Sequence, residues 1–407
     1  MKIDMAELKL LLKRILKTSQ PPLYLRPVLG VLRALSLIYY FVITMRNFLY
    51  DRGILSSHFL SLPVISVGNI TVGGTGKTPT VLTLARQFKR AGFSPAVVAR
   101  GYGSSPKRPL LITAEGGREE VRKAGDEAYL LAEELENVPV VICRDKTKAA
   151  LWGEKNLDVD LILVDDGFQH RSLRRDYDLV LLDSLQPFGN GHLLPRGFLR
   201  DPPTRLSEAD GIVLTRCSQV SREKIIKIFG EIRSYTGNCD NIYFGRITPR
   251  SVEDEEGGEH PPGILAGKRV LAFSGIGNPD SFENSLEQVG GRVVYHAVFP
   301  DHFDYNLSGF SKRMEEAVKE IEKAREKGKR VDMALTTHKD YIKLNDRIKS
   351  YLQDRGLELF SLKIFMEFMG EEHLQESEGE SGNKIDNDIV FDDIFTHLQS
   401  VSEEDKV

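Results

Sequence analysis

From Pro63 onward the chain alternates short apolar runs with longer stretches that suit helices. The runs VISVGN (64–69), AVVAR (96–100), VPVVI (138–142), LILVDD (161–166), YDLVLLD (177–183) and GIVLTR (211–216) are apolar without alternation. Strands of a parallel sheet covered on both faces read this way. Between them 77–91, 125–136 and 146–156 predict crossover helices, so the first half is expected to be a doubly wound α/β domain. The stretch RSVEDEEGGEHPPG (250–263) is polar and holds Gly and Pro, as a linker or an exposed insertion would. A second α/β pattern follows: RVLAFSGIGNP (269–279), a helix near 280–289, RVVYHAVFPDHF (292–303), a charged helix over 311–327, DMALTTHKD (332–340) and LFSLKIFMEF (359–368). The expected organisation is an N-terminal segment over 1–55, an α/β domain over 56–245, a linker over 246–265, a smaller α/β domain over 266–369 and an acidic tail over 370–407. Within that tail 371–383 is poor enough in apolar residues to be disordered.

A chain of 407 residues, 41% of them hydrophobic, can fill two cores. The net charge of −4 argues against nucleic acid as the main partner, but it averages two unlike ends. Residues 1–55 carry nine Lys/Arg against three Asp/Glu, and residues 370–407 carry two lysines against twelve acids. In the N-terminal segment the longest uncharged apolar run, Ala34 to Met45, has 12 residues, bracketed by Arg33 and Arg46. Spanning a bilayer takes about 20. The segment therefore suits lying in an anionic membrane interface or packing on the domain core, and the preceding Lys9, Lys13, Arg14, Lys17 and Arg26 favour the membrane. Cys143, Cys217 and Cys239 show no C-x-x-C spacing and read as reduced cytosolic thiols. No secretory leader pattern stands at the start.

TVGGTGKT (71–78) follows a strand and precedes a helix, the context of a phosphate-binding P-loop, with Thr71 in place of the usual first glycine. Thr71, Val72, Gly73, Gly74, Thr75, Gly76, Lys77 and Thr78 would form the cradle. Its glycines let backbone N–H groups converge on phosphate oxygens, Lys77 would bridge the β- and γ-phosphates, and Thr78 would hold Mg²⁺. The following helix points its positive end at the anion. A magnesium-organising acid is expected at the end of a buried strand, and LILVDD supplies Asp165 and Asp166. Together the two motifs predict nucleotide hydrolysis or phosphoryl transfer, with magnesium.

In order along the chain come SVGNITVGGTGKTP, RGYG (100–103), GDEAYLLA (125–132), DDGFQHR (165–171), LLPRGFLRDP (193–202), FSGIGNP (273–279), FPDHF (299–303) and TTHKD (336–340). On these motifs the chain resembles the tetraacyldisaccharide 4'-kinase family over about residues 25–368. The family's own loop also has Thr in place of the first glycine. The resemblance implies a P-loop NTPase-like domain with a doubly wound parallel sheet, a second, smaller α/β domain and an N-terminal amphipathic membrane-associated helix. It implies transfer of the ATP γ-phosphate to the 4'-hydroxyl of an acylated glucosamine disaccharide 1-phosphate, in lipid A synthesis, by a peripheral enzyme on the cytoplasmic face of the inner membrane; a monomer is expected. Residue by residue, Asp126 corresponds to the family's general base and His302 to the histidine paired with it. Arg100, Tyr102, Gln169, His170, Arg171, Arg200 and Asp201 match positions expected to line substrate or phosphates. A carboxylate positioned on a sugar hydroxyl fits general-base chemistry independently, and a base split between two domains assembles only on closure.

Two departures stand out. LRDP has Asp201 where the family usually has Glu, and TTHKD has His338 where it usually has an acid. A different P-loop small-molecule kinase and a nucleotide-dependent switch remain the alternatives. The switch lacks a guanine-reading N-K-x-D, and a soluble substrate gives no reason for the apolar, basic N-terminus.

Overall fold

A computed structural model of the chain describes residues 23–101, 106–114, 117–236, 241–326, 331–369 and 388–404. Helix α1 (Arg26–Asp51) leads into β1 (Val64–Asn69), α2 (Lys77–Arg90), β2 (Pro95–Ala99), β3 (Leu110–Ile112), α3 (Gly117–Ala124) and α4 (Asp126–Glu134). Next come β4 (Val140–Ile142), α5 (Lys146–Asn156), β5 (Leu161–Asp165), β6 (Tyr177–Asp183), β7 (Gly211–Thr215), α6 (Arg222–Thr236), β8 (Ile242–Glu253) and β9 (Glu259–His260). The chain continues through β10 (Arg269–Ser274), α7 (Pro279–Gln288), β11 (Arg292–Val298), α8 (Leu307–Glu326), β12 (Met333–Thr337), α9 (His338–Tyr341), α10 (Asp346–Gln353), β13 (Leu359–Met369) and α11 (Ile389–Glu404).

The apolar runs become strands because each is buried on both faces: every residue of β1, β2, β5 and β7 is buried. Among the described residues thirteen strands form one sheet, ordered β11-β10-β12-β13-β8-β7-β6-β1-β5-β2-β4-β3, with β9 on β8. Pairing is parallel except at β13–β8, β3–β4 and β8–β9. Where a linker was expected from 246, β8 runs on to Glu253. It pairs with β7 through Ile242–Gly245 and with β13 from Phe244 to Glu253. The strand escapes an apolar-run search because its polar side chains are answered across the ladder. Arg246 and Thr248 both bond Glu367 Oε2, at 2.9 Å each for Arg246 Nε and Thr248 Oγ1, so one strand belongs to both halves of the sheet.

Two further elements differ from expectation. The uncharged run of α1 lies inside a 26-residue helix, about 39 Å long, and that helix is long and apolar enough to cross a membrane by length and composition. It is nevertheless laid against the body by a stripe of Leu29, Ser36, Ile43 and Asn47. Ser36 Oγ donates to Leu193 O at 2.8 Å and Tyr39 OH to Arg200 O at 2.8 Å. The opposite side exposes Val31, Leu35, Ile38, Phe41, Val42 and Met45. The acidic tail ends in α11, whose Val390 and Ile394 are fully buried; Phe391 stands edge-on to Phe88 of α2 at 4.9 Å and Phe395 to Phe93 at 5.9 Å. The expected disorder over 371–383 falls outside the described residues, as do Cys239 and Lys9–Lys17, whereas Cys143 and Cys217 are buried free thiols.

Candidate active site

Strand β1 ends at Asn69, and the loop to α2 turns through Gly73 (φ 122°) and Gly76 (φ 94°). Both torsions lie where a Cβ is strained. A Cβ on Gly73 or Gly74 would meet nothing within 4 Å, so the loop leaves open space over its backbone. Thr71 needs no glycine: its backbone is not left-handed, and it bridges Leu199 while Val72 N donates to Phe198 O at 2.8 Å. Asn69 Nδ2 donates to Thr75 Oγ1 at 3.0 Å and braces the loop from below. Helix α2 starts at Lys77, its first N–H groups facing the loop.

Residues 71–78 line one side of a cavity of about 510 Å³ that also takes in Arg100, Asp165, Asp166, Arg200 and, from the second half, Gly277 and His302. The carbonyls of Asp165 and Asp166 both accept from the buried Lys146 Nζ, at 2.7 and 2.6 Å. Asp165 Oδ1 is buried without a hydrogen-bond partner, and burial followed by the nearby Glu127 pushes its carboxyl up to about 6. An orphaned carboxylate oxygen in a cavity that Thr78 also lines fits a hard divalent cation. Magnesium takes one or two protein ligands plus phosphates and water, a set that Asp165 and Thr78 could supply from the chain. Asp166 is placed differently. Arg200 meets it with two bonds of 2.8 and 3.2 Å, and Lys77 Nζ stands 3.6 Å away. It therefore holds the two cations that would face a phosphate.

Asp126 opens α4, buried, and His302 reaches it from the second half: Nδ1–H donates to Asp126 Oδ2 at 2.9 Å. Lys339 and Lys343 stand 3.9 and 3.8 Å from the same oxygen. Burial opposes ionisation of Asp126 but is outweighed by the His302 hydrogen bond and by the two lysines, and its carboxyl is held well below the usual carboxylate range. His302 is raised above its ordinary value, chiefly by the same hydrogen bond. Lys339 also bonds Glu127 at 2.9 Å, and His338 Nε2 meets Glu133 at 3.0 Å. Helix α4 is thus gripped by basic and imidazole side chains of the second half at both ends. Three non-glycine residues lining the cavity, Asp166, Arg216 and His302, have φ near +55 to +60°, a strained backbone that functional sites tend to store.

Several expected substrate contacts lie elsewhere. Gln169 Nε2 donates to Asn69 O at 2.6 Å and Asp201 Oδ2 at 2.8 Å, and Asp201, fully buried, pairs with Arg205 at 3.2 Å. His170 accepts from Thr147 N at 3.1 Å and is pushed down to about 4 by burial and by Lys146. Arg171 pairs with Asp51 at the foot of α1 and with Glu208 at 3.0 Å. None of these four lines the cavity; they brace the loops around it. Tyr102 lies outside the described residues. One cavity residue carried no sequence motif. Arg216, at the end of β7, bonds Asp183 and sends Nη2 to Gly74 O at 2.5 Å. Because the Gly74 carbonyl and the Thr75 N–H share one planar unit and point oppositely, that grip sets the direction of a cradle amide.

The profile of the family described as Tetraacyldisaccharide-1-P 4'-kinase matches residues 28–377. The chain belongs to that family. It is 36% identical over 356 residues to a tetraacyldisaccharide 4'-kinase of Halothermothrix orenii, covering 84% of this chain and 90% of that protein. To the Syntrophus aciditrophicus protein of the same name it is 38% identical over 327 residues, covering 78% and 85%. A crystal structure of "apo" form LpxK from Aquifex aeolicus in complex with ATP shares its fold with a TM-score of 0.63 and 30% identity, over 86% of this chain and 97% of that one. The tetraacyldisaccharide 4'-kinase match ends at 377, before α11, so the buried C-terminal helix lies outside it.

Proposed function

We propose that the protein transfers the γ-phosphate of ATP to the 4'-hydroxyl of tetraacyldisaccharide 1-phosphate, forming lipid IVA, as a peripheral enzyme of the cytoplasmic face of the inner membrane. The observation that carries this reading is the hydrogen bond of Asp126 across the two halves to His302, which lines the P-loop cavity. The cradle amides and Lys77 grip the triphosphate, and phosphate oxygens take over Lys77 and Arg200 from Asp166. Asp165 and Thr78 would hold magnesium, which when bound neutralises charge on the β- and γ-oxygens. The dyad takes the 4'-hydroxyl proton as a unit, and its stable form, imidazolium beside carboxylate, makes His302 the proton's resting place. The exposed side of α1 lies in the lipid while Ser36 and Tyr39 tie that helix to the loop carrying Arg200. The alternative acceptor, a soluble small molecule, leaves that 26-residue exposed apolar helix without a role. Lys77→Ala tests the cradle: it is expected to abolish transfer of label from γ-³²P-ATP while circular dichroism shows the fold unchanged. Retained turnover would remove the P-loop from the reaction.

A further inference from the structure

Binding an acceptor that already bears a phosphate calls for cations not neutralised by the protein itself. Arg171 and Arg200, two of the arginines expected to line the substrate, are both committed to carboxylates. A different group is not. Arg196 N donates to Ser36 Oγ at 3.0 Å while Ser36 Oγ donates to Leu193 O at 2.8 Å, so the 192–196 turn is pinned to one face of α1. Arg33 lies one helical turn before Ser36 on that same face. Arg196 Nη1 is buried with no hydrogen-bond partner. His192 feels both guanidinium groups: burial, then Arg196, then Arg33, push it below its ordinary value. Among the described residues none of the three has an acidic partner within salt-bridge distance.

The place of this trio is informative. Arg196 lies four positions before Arg200, which lines the cavity, so their Cα atoms are at most about 14 Å apart. On α1 Arg33 is itself exposed, between the exposed Val31 and Leu35 in sequence. A ligand seated there with one anionic group would have its acyl chains on α1 and its remaining sugar toward the P-loop. We propose that Arg33, His192 and Arg196 form the seat for the anomeric phosphate monoester of the acceptor. This rests on the proposed phosphoryl transfer to a lipid disaccharide. It names the group by which the enzyme would tell a phosphorylated acceptor from an unphosphorylated one.

The test measures kcat/KM at saturating MgATP for the tetraacyldisaccharide with and without its 1-phosphate, in the wild type, Arg33→Gln, Arg196→Gln and the double variant. Charge-assisted contacts of this kind are worth about tenfold or more in binding. The wild type is expected to favour the phosphorylated acceptor by at least about that factor, and the double variant to bring the ratio close to one, mainly through KM. Arg33 is exposed, so its single variant keeps the fold if the double variant does not. A ratio that survives in the variants overturns the proposal. So does an equal loss toward both acceptors that parallels weaker binding to phosphatidylglycerol vesicles, which would assign the trio to bilayer headgroups. A wild type that phosphorylates neither acceptor overturns the underlying function instead.

Discussion

The His302–Asp126 pair makes a residue-scale prediction about pH. His302 is raised above 6.5 in the folded protein, so its contribution to stability is complete below about pH 6.5 and is lost as pH rises through the higher folded value. Asp126 is depressed, so its contribution is present above about pH 4 and is lost only as pH falls well below that. The stability difference between wild type and His302→Gln, from urea unfolding, should therefore shrink from pH 6 to pH 9. An NMR titration should find the His302 midpoint above 6.5, falling in Asp126→Asn. His338 makes a second prediction. It sits among Glu133, Glu134 and Glu253, at 3.0, 3.5 and 3.9 Å, with Ser361 at 3.0 Å. His338→Glu adds a carboxylate to three others and should destabilise by about 1–3 kcal/mol, whereas His338→Gln keeps a donor and should cost less. Equal melting temperatures for the two would contradict this. That Lys77, Asp165 and His302 would come together around one cavity could be read because each sits in a short motif whose chemistry is local. That Arg171 and Asp201 stand outside it could not, because their partners, Asp51 and Arg205, are fixed by the fold: one is 120 positions away, and the other is close in sequence but meets its partner only in the buried turn.

At the scale of elements, strands buried on both faces could be read from the sequence because burial demands unbroken apolar runs. Strand β8 could not, since Arg246 and Thr248 are satisfied by a glutamate of β13 that is far away in sequence. Helix α11 was hidden by the net charge of its surroundings, although Val390, Phe391, Ile394, Phe395 and Leu398 recur at three- and four-residue spacing. Because α11 packs on α2, the helix that carries Lys77 and Thr78, Ile394→Ala should destabilise the protein by about 2–4 kcal/mol. Thermal unfolding would show the shift, and an unchanged midpoint would mean that the helix does not stay docked in solution.

At the scale of the molecule, one sheet carries both halves, and the cavity lies where they meet. The P-loop comes from the first half and His302 from the second, while α4 is held by Lys339, Lys343, His302 and His338. A Cβ on Gly277 would stand 3.8 Å from Gly74 N, so the second half reaches the cradle itself. The central claim is that cradle and dyad act on one acceptor, and the most direct measurement is mass spectrometry of tetraacyldisaccharide 1-phosphate after incubation with MgATP and either wild type or Asp126→Asn. The wild type should add one phosphoryl group at the 4' position. Asp126→Asn should retain ATP binding and lower the rate by about 100-fold or more. An acceptor left unmodified by the wild type, or transfer at full rate by Asp126→Asn, would contradict the account.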